Sequence, residues 1–178
     1  MLQIIQSLRT GQTQVIEAPD PIVFANHLVI ETELTLISPG TERMIYEFGR
    51  SSWFEKARSQ PEKISQALDK VATDGIGPTV SAIKNKLDTP YCPGYCNVGI
   101  VRDAGKGSLF REGDRVISNG PHASVVRVSK NLTAAIPASV SSEEASFAVL
   151  GAIALQGIRL ADPLLGETAV VIGAMLIS

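Results

Sequence analysis

The stretch that most constrains the chain is Pro93-Gly94-Tyr95-Cys96-Asn97-Val98-Gly99-Ile100-Val101, followed a dozen residues later by Gly113-Asp114-Arg115-Val116. Val98, Ile100 and Val101 are strand formers, Gly105 and Gly107 break the run, and Val116-Ile117 resumes it after a Gly-Asp turn. The spacing predicts two β-strands joined by a glycine-bearing turn, within a turn-rich β unit.

The flanking sequence extends that unit. Leu2 to Leu8 and Gln14 to Glu17 alternate around Arg9-Thr10-Gly11-Gln12 and predict an opening hairpin. His27 to Ile37 alternates with period two until Ser38-Pro39-Gly40 ends it, and His27 at its start suits solvent or a local hydrogen bond. The period then turns helical. Thr41 is the expected N-cap of a helix over 42–48, with Gly49 ending it. A short turn follows over 53–58, then helices from Pro61 to Val71 and over 78–87. His122 to Val128 reads as another strand, and Asn131 to Ile136 leads into Pro137. Ser141 or Ser142 caps a helix reaching Leu160 that is apolar nearly all round, a pattern expected between layers or domains. Thr168 to Gly173 is a continuous apolar strand of parallel-sheet type.

At 178 residues the chain suits one main domain, or one domain and a fragment. A formal net charge of -2 gives no electrostatic case for nucleic acid or an anionic membrane. No apolar run approaches the roughly 20 residues of a membrane-spanning helix, and Met1-Leu2-Gln3-Ile4-Ile5 lacks a signal-peptide pattern, so a cytoplasmic protein is expected. Cys92 and Cys96 are too few for a disulfide scaffold and read as partly buried thiols.

Taken in order, the hairpin, Gly40-Thr41-Glu42, the Gly94 segment, Gly113-Asp114-Arg115-Val116, the strand from His122 and the Glu143-Glu144-Ala145 helix resemble one known arrangement. It is the GroES-like N-terminal domain of the medium-chain (zinc-type alcohol) dehydrogenase/reductases. The helical insertion over 42–90 further resembles the bi-domain, threonine-dehydrogenase-like subgroup related to bacteriochlorophyllide dehydrogenase. The resemblance implies an α+β fold: a GroES-like distorted β-barrel with a helical insertion over residues 1–141, then a connecting helix and the first strand of a truncated Rossmann domain over 142–178. It also implies hydride transfer between NAD or NADP and a small-molecule alcohol, aldehyde, ketone or enone.

The metal and cofactor parts of the pattern depart from the family. A catalytic zinc needs three protein ligands and an open position. Where the zinc-dependent members place a cysteine, a histidine and a glutamate, this chain has Pro39, Tyr95 and Cys96, with Leu150-Gly151 near the position of a further ligand. No metal ligand is therefore assigned, and an improvised set of Cys92, Cys96 and His122 is weakly founded. In a zinc-independent site Tyr95 could donate a hydrogen bond to a substrate oxygen, with Thr41, Asn97, Asn119 or His122 nearby. The plainer alternatives are an aromatic that caps the barrel and a structural histidine. Of the dinucleotide fingerprint only Gly173 is in place, because the second and third glycines would fall at Met175 and Ser178.

The sequence therefore points to the catalytic-domain portion of a zinc-independent NAD(P)-linked oxidoreductase, inactive alone, with no cofactor expected to bind this chain by itself. The alternative is a non-catalytic binding or scaffold module that retains the GroES-like fold. A third reading is a structural homodimer formed through Ala145 to Leu155 and Ala169 to Ile172.

Overall fold

The computed structural model describes residues 1–51, 73, 75, 77–78, 81, 85 and 87–171. The turn expected over 53–58, the helix from Pro61 to Val71, most of the helix over 78–87, and Gly173 lie outside the described residues. The chain divides into two compact units, one of Met1, Ala18–Ile37 and Gly94–Ser178, the other of Leu2–Glu17 and Ser38–Pro93.

The first unit is built on a five-stranded antiparallel sheet. Its strands are β3 (His27–Thr35), β4 (Asn97–Ala104), β5 (Arg115–Ser118), β6 (Val125–Ser129) and β7 (Thr133–Ala135), in the order β6-β3-β4-β5-β7. Alternation sends side chains to two faces. Leu28 and Ile30 of β3, Val101 of β4, Val116 of β5, and Val126 and Val128 of β6 form one core cluster. Val98 and Ile117 point the other way and pack with Ile136 and Ala145. The near-continuous Leu28-Val29-Ile30 run is explained by this burial on both faces, since all three are fully buried.

The expected barrel is not closed: among the described residues β6 and β7 are the edges of an open sheet. The strand expected from His122 begins only at Val125, because Gly120-Pro121 holds the chain in a loop that delivers His122 to the interior. After β7, Ser141 caps α2 (Ser142–Ala145) with a full capping box: its hydroxyl accepts from the Glu144 N–H, and the Glu144 carboxylate accepts from the Ser141 N–H. The longer helix α3 (Ala148–Ala161) follows. It was expected to be buried, yet only Leu150 is, and Ile153, Ile158 and Leu160 are 51%, 59% and 77% exposed. The first turn packs on the second cluster through Val149, and the rest of the helix projects beyond the sheet that could cover it. Residues 168–171, expected as a strand, have no strand partner among the described residues and are exposed.

The second unit holds the predicted hairpin, β1 (Leu2–Gln6) paired with β2 (Thr13–Glu17) in the register Leu2↔Glu17 to Gln6↔Thr13. Tyr91 bridges the other edge of β1 through two backbone hydrogen bonds with Gln6. Helix α1 spans Pro39–Arg50, so it starts before Thr41, which lies inside its first turn rather than at its cap. Pro39 suits a first helical position, and the Glu42 carboxylate returns to accept from the Ser38 N–H at 2.9 Å. Gly49, expected to end the helix, stays within it for a packing reason. A Cβ there would lie 2.4 Å from Gly11 Cα, so only glycine lets the helix lie against the hairpin turn.

Candidate functional site

On the face of the first core cluster the apolar run of β3, β4 and β5 turns polar at one end. Thr32 continues from Leu28 and Ile30, Asn97 continues from Val101 and Gly99, and Ser118 continues from Val116. Asn97 is fully buried; its Nδ2 donates to Thr32 Oγ1 at 2.8 Å. Its Oδ1 is buried with no hydrogen-bond donor among the described residues. A buried acceptor in that condition costs about 1–3 kcal/mol, so this end of the core is polar at the expense of stability. Ser118 is also buried, and its hydroxyl accepts from the Gly120 N–H at 3.3 Å.

His122 completes the cluster. It is 5% exposed, and its Nδ1 lies 2.8 Å from Thr35 Oγ1. Gly94, at φ +95°, lies against the same edge of the ring. A Cβ there would sit 2.7 Å from the His122 backbone nitrogen and 2.8 Å from ring atoms Cγ and Nδ1. The glycine that marks the motif thus has two reasons to be glycine, a left-handed backbone and a histidine against its Cα.

Of the residues singled out from sequence, Tyr95, Asn97 and His122 belong to this unit, and Thr41 belongs to the other. Asn97 and His122 are enclosed, whereas Tyr95, the residue after Gly94, is half-buried and reaches the surface. Asn119 is exposed, with its N–H given to Leu132 O at 3.3 Å. Sequence reasoning missed Thr32, Thr35 and Ser118, although Thr32 stands in phase with Leu28 and Ile30 and so already broke an apolar face.

Cys96 is buried and Cys92 partly so, with Gln3 Nε2 donating to Cys92 Sγ at 3.0 Å. Among the described residues no group of three or more His, Cys, Asp or Glu is placed to hold a metal. No helix among them is long and apolar enough to cross a membrane. A cleft of about 90 Å³ in the second unit, lined by Ile5, Ser7, Gln12, Gln14, Asp88 and Pro90, contains none of the candidate residues.

Neither a protein-family model nor a curated protein sequence matches the chain. Solved structures do. The quinone oxidoreductase of Coxiella burnetii aligns over 94% of this chain and 47% of its own length, at 17% identity and a TM-score of 0.62. The Escherichia coli quinone oxidoreductase complexed with NADPH aligns over 90% of this chain and 41% of its own, at 18% identity and a TM-score of 0.59. Galactitol-1-phosphate dehydrogenase from Escherichia coli aligns over 91% of this chain and 45% of its own, at 13% identity and a TM-score of 0.61. The chain spans less than half the length of each of these proteins. The resemblance to medium-chain dehydrogenase/reductases holds at the level of the fold.

Proposed function

We propose that this chain is the catalytic-domain portion of a zinc-independent NAD(P)-linked oxidoreductase acting on a small carbonyl or quinone substrate, and that it is inactive without a nucleotide-binding domain. The observation that carries the reading is the fold: about nine tenths of the chain aligns with quinone oxidoreductases, one of them complexed with NADPH. The identities Pro39, Tyr95 and Cys96 at the family's metal positions support the zinc-free form. A cytoplasmic setting without nucleic-acid or membrane partners accompanies it.

The nicotinamide, when bound, supplies the hydride. This chain's part is to hold and polarise the acceptor. Tyr95, half-buried and following Gly94, donates its phenolic hydrogen bond to the substrate oxygen on which negative charge develops. Asn97 and His122 are buried and serve structure in this reading, held by Thr32 and Thr35. The exposed apolar residues around α3, with Ile153 and Leu160 on one face and Ile158 on another, support docking of a nucleotide-binding domain there.

Calorimetric titration with NADPH and NADH tests the division of labour. The chain alone should give no specific isotherm, and joined to the nucleotide-binding domain of a matched quinone oxidoreductase it should tighten NADPH binding over that domain alone. A clear micromolar isotherm with the chain alone, or no gain on joining, contradicts the reading; the second result favours a binding or scaffold module.

A further inference from the structure

Strand β3 contains an irregularity that decides what its last residues touch. Its register with β4 runs Thr32↔Gly99 and then Leu34↔Val98, so Glu33 is an extra residue with no partner. In a regular strand Thr32 and Thr35, an odd number of positions apart, would face opposite sides. The bulge at Glu33 changes the parity. Leu34 joins Val98 in the second core cluster, and Thr35, paired with Asn97, comes to the same face as Thr32. Both hydroxyls are then used: Thr32 binds Asn97 and Thr35 binds His122, each at 2.8 Å. The bulge residue is itself anchored, since Glu33 Oε2 accepts from Ser142 Oγ at 2.8 Å and that hydroxyl accepts from Arg115 Nη2 at 3.1 Å. Bulges commonly re-aim a side chain beside a functional site.

We propose that Thr35 and His122 are positioning residues for Tyr95, with Thr35 fixing the imidazole and the imidazole buttressing the Gly94-Tyr95 backbone. The proposal rests on the reading in which Tyr95 meets the substrate oxygen. Thr35 Oγ1 holds Nδ1, and the backbone of Gly94 borders that same edge of the ring, where an added Cβ would come within 2.8 Å of Cγ and Nδ1. The hydroxyl can donate to Nδ1 or accept from it, so the bond fixes the orientation of the ring with either nitrogen protonated. The residue that follows Gly94 inherits its direction from a backbone packed beside this hydrogen-bonded ring.

Imidazole ¹⁵N spectroscopy of the full chain tests this without requiring turnover, and with only two histidines His27 is the internal control. The wild type should show one set of ring nitrogen resonances at His122. Thr35→Val should shift that set together with the ring resonances of Tyr95, leaving His27, Tyr46 and Tyr91 unchanged, and Thr35→Ser should restore both. Thr35→Ala, which introduces no bulk, gives the same reading if valine prevents folding. An unchanged His122 pattern or unchanged Tyr95 resonances in the variant lacking the hydroxyl overturns the proposal, as does failure of Thr35→Ser to restore them. Loss of the oxidoreductase reading itself shows elsewhere, as a wild-type chain that gains no turnover with a nucleotide-binding domain while these spectral relations stand.

Discussion

Gly94 concentrates what single residues contribute. Its φ of +95° costs a residue bearing Cβ about 1–3 kcal/mol, and the Cβ would also meet the buried His122 at 2.7 Å. Gly113, at φ +88°, has the same backbone demand but open space around it. Gly94→Ala should therefore lower the urea midpoint by clearly more than Gly113→Ala, and it should perturb the His122 resonances, which Gly113→Ala should leave alone. Equal losses would mean that backbone strain alone explains both. The sequence singled out Gly94 as part of the segment that places the fold. The histidine against it was not legible, because residues 94 and 122 are brought together only by the pairing of β4 with strands on either side. Thr35 was hidden for a related reason: a period-two reading of His27 to Ile37 assigns it to the wrong face unless the bulge at Glu33 is known.

Among the elements, two specified by local chemistry were read correctly, although the ends of α1 were not. The hairpin follows from alternation around a glycine turn, and the start of α2 follows from Ser141 and Glu144 at capping-box spacing. Bonds from the Ser141 backbone and then its side chain hold the Glu144 carboxyl below its ordinary value of 4.5. Because the folded value is the lower one, the stabilisation is complete above the unfolded carboxyl pKa and is lost as pH falls through the folded one. Ser141→Ala should cost about 1 kcal/mol at neutral pH, the usual worth of an N-cap, and Glu144→Gln should flatten the acid limb of the stability profile. Chemical denaturation at neutral and acid pH measures both; an unaltered acid limb in Glu144→Gln would place the acid sensitivity elsewhere. Elements specified by distant partners were read less well. The apolar circumference of α3 promised burial, but burial needs a covering surface that its own sequence cannot supply.

At the scale of the whole chain there are two units, one an open antiparallel sheet with a polar end and an exposed apolar helix, the other a hairpin with helix α1, in a chain that aligns with less than half of each matched oxidoreductase. A distorted β-barrel was expected from the resemblance; closure depends on strand pairings beyond those of β6 and β7, and nothing in a strand's own alternation states whether its edge is paired. The proposed function depends at this scale on joining two parts, one that would position a carbonyl through Tyr95 and one that would bring the nicotinamide. The most direct measurement is NADPH consumption with a quinone by this chain joined to a nucleotide-binding domain. The account predicts turnover well above that of the domain alone, reduced about a hundredfold by Tyr95→Phe, the usual effect of removing one donor to a developing oxyanion. A folded, NADPH-binding fusion that turns over no faster than the domain alone, or that is indifferent to Tyr95→Phe, would contradict it.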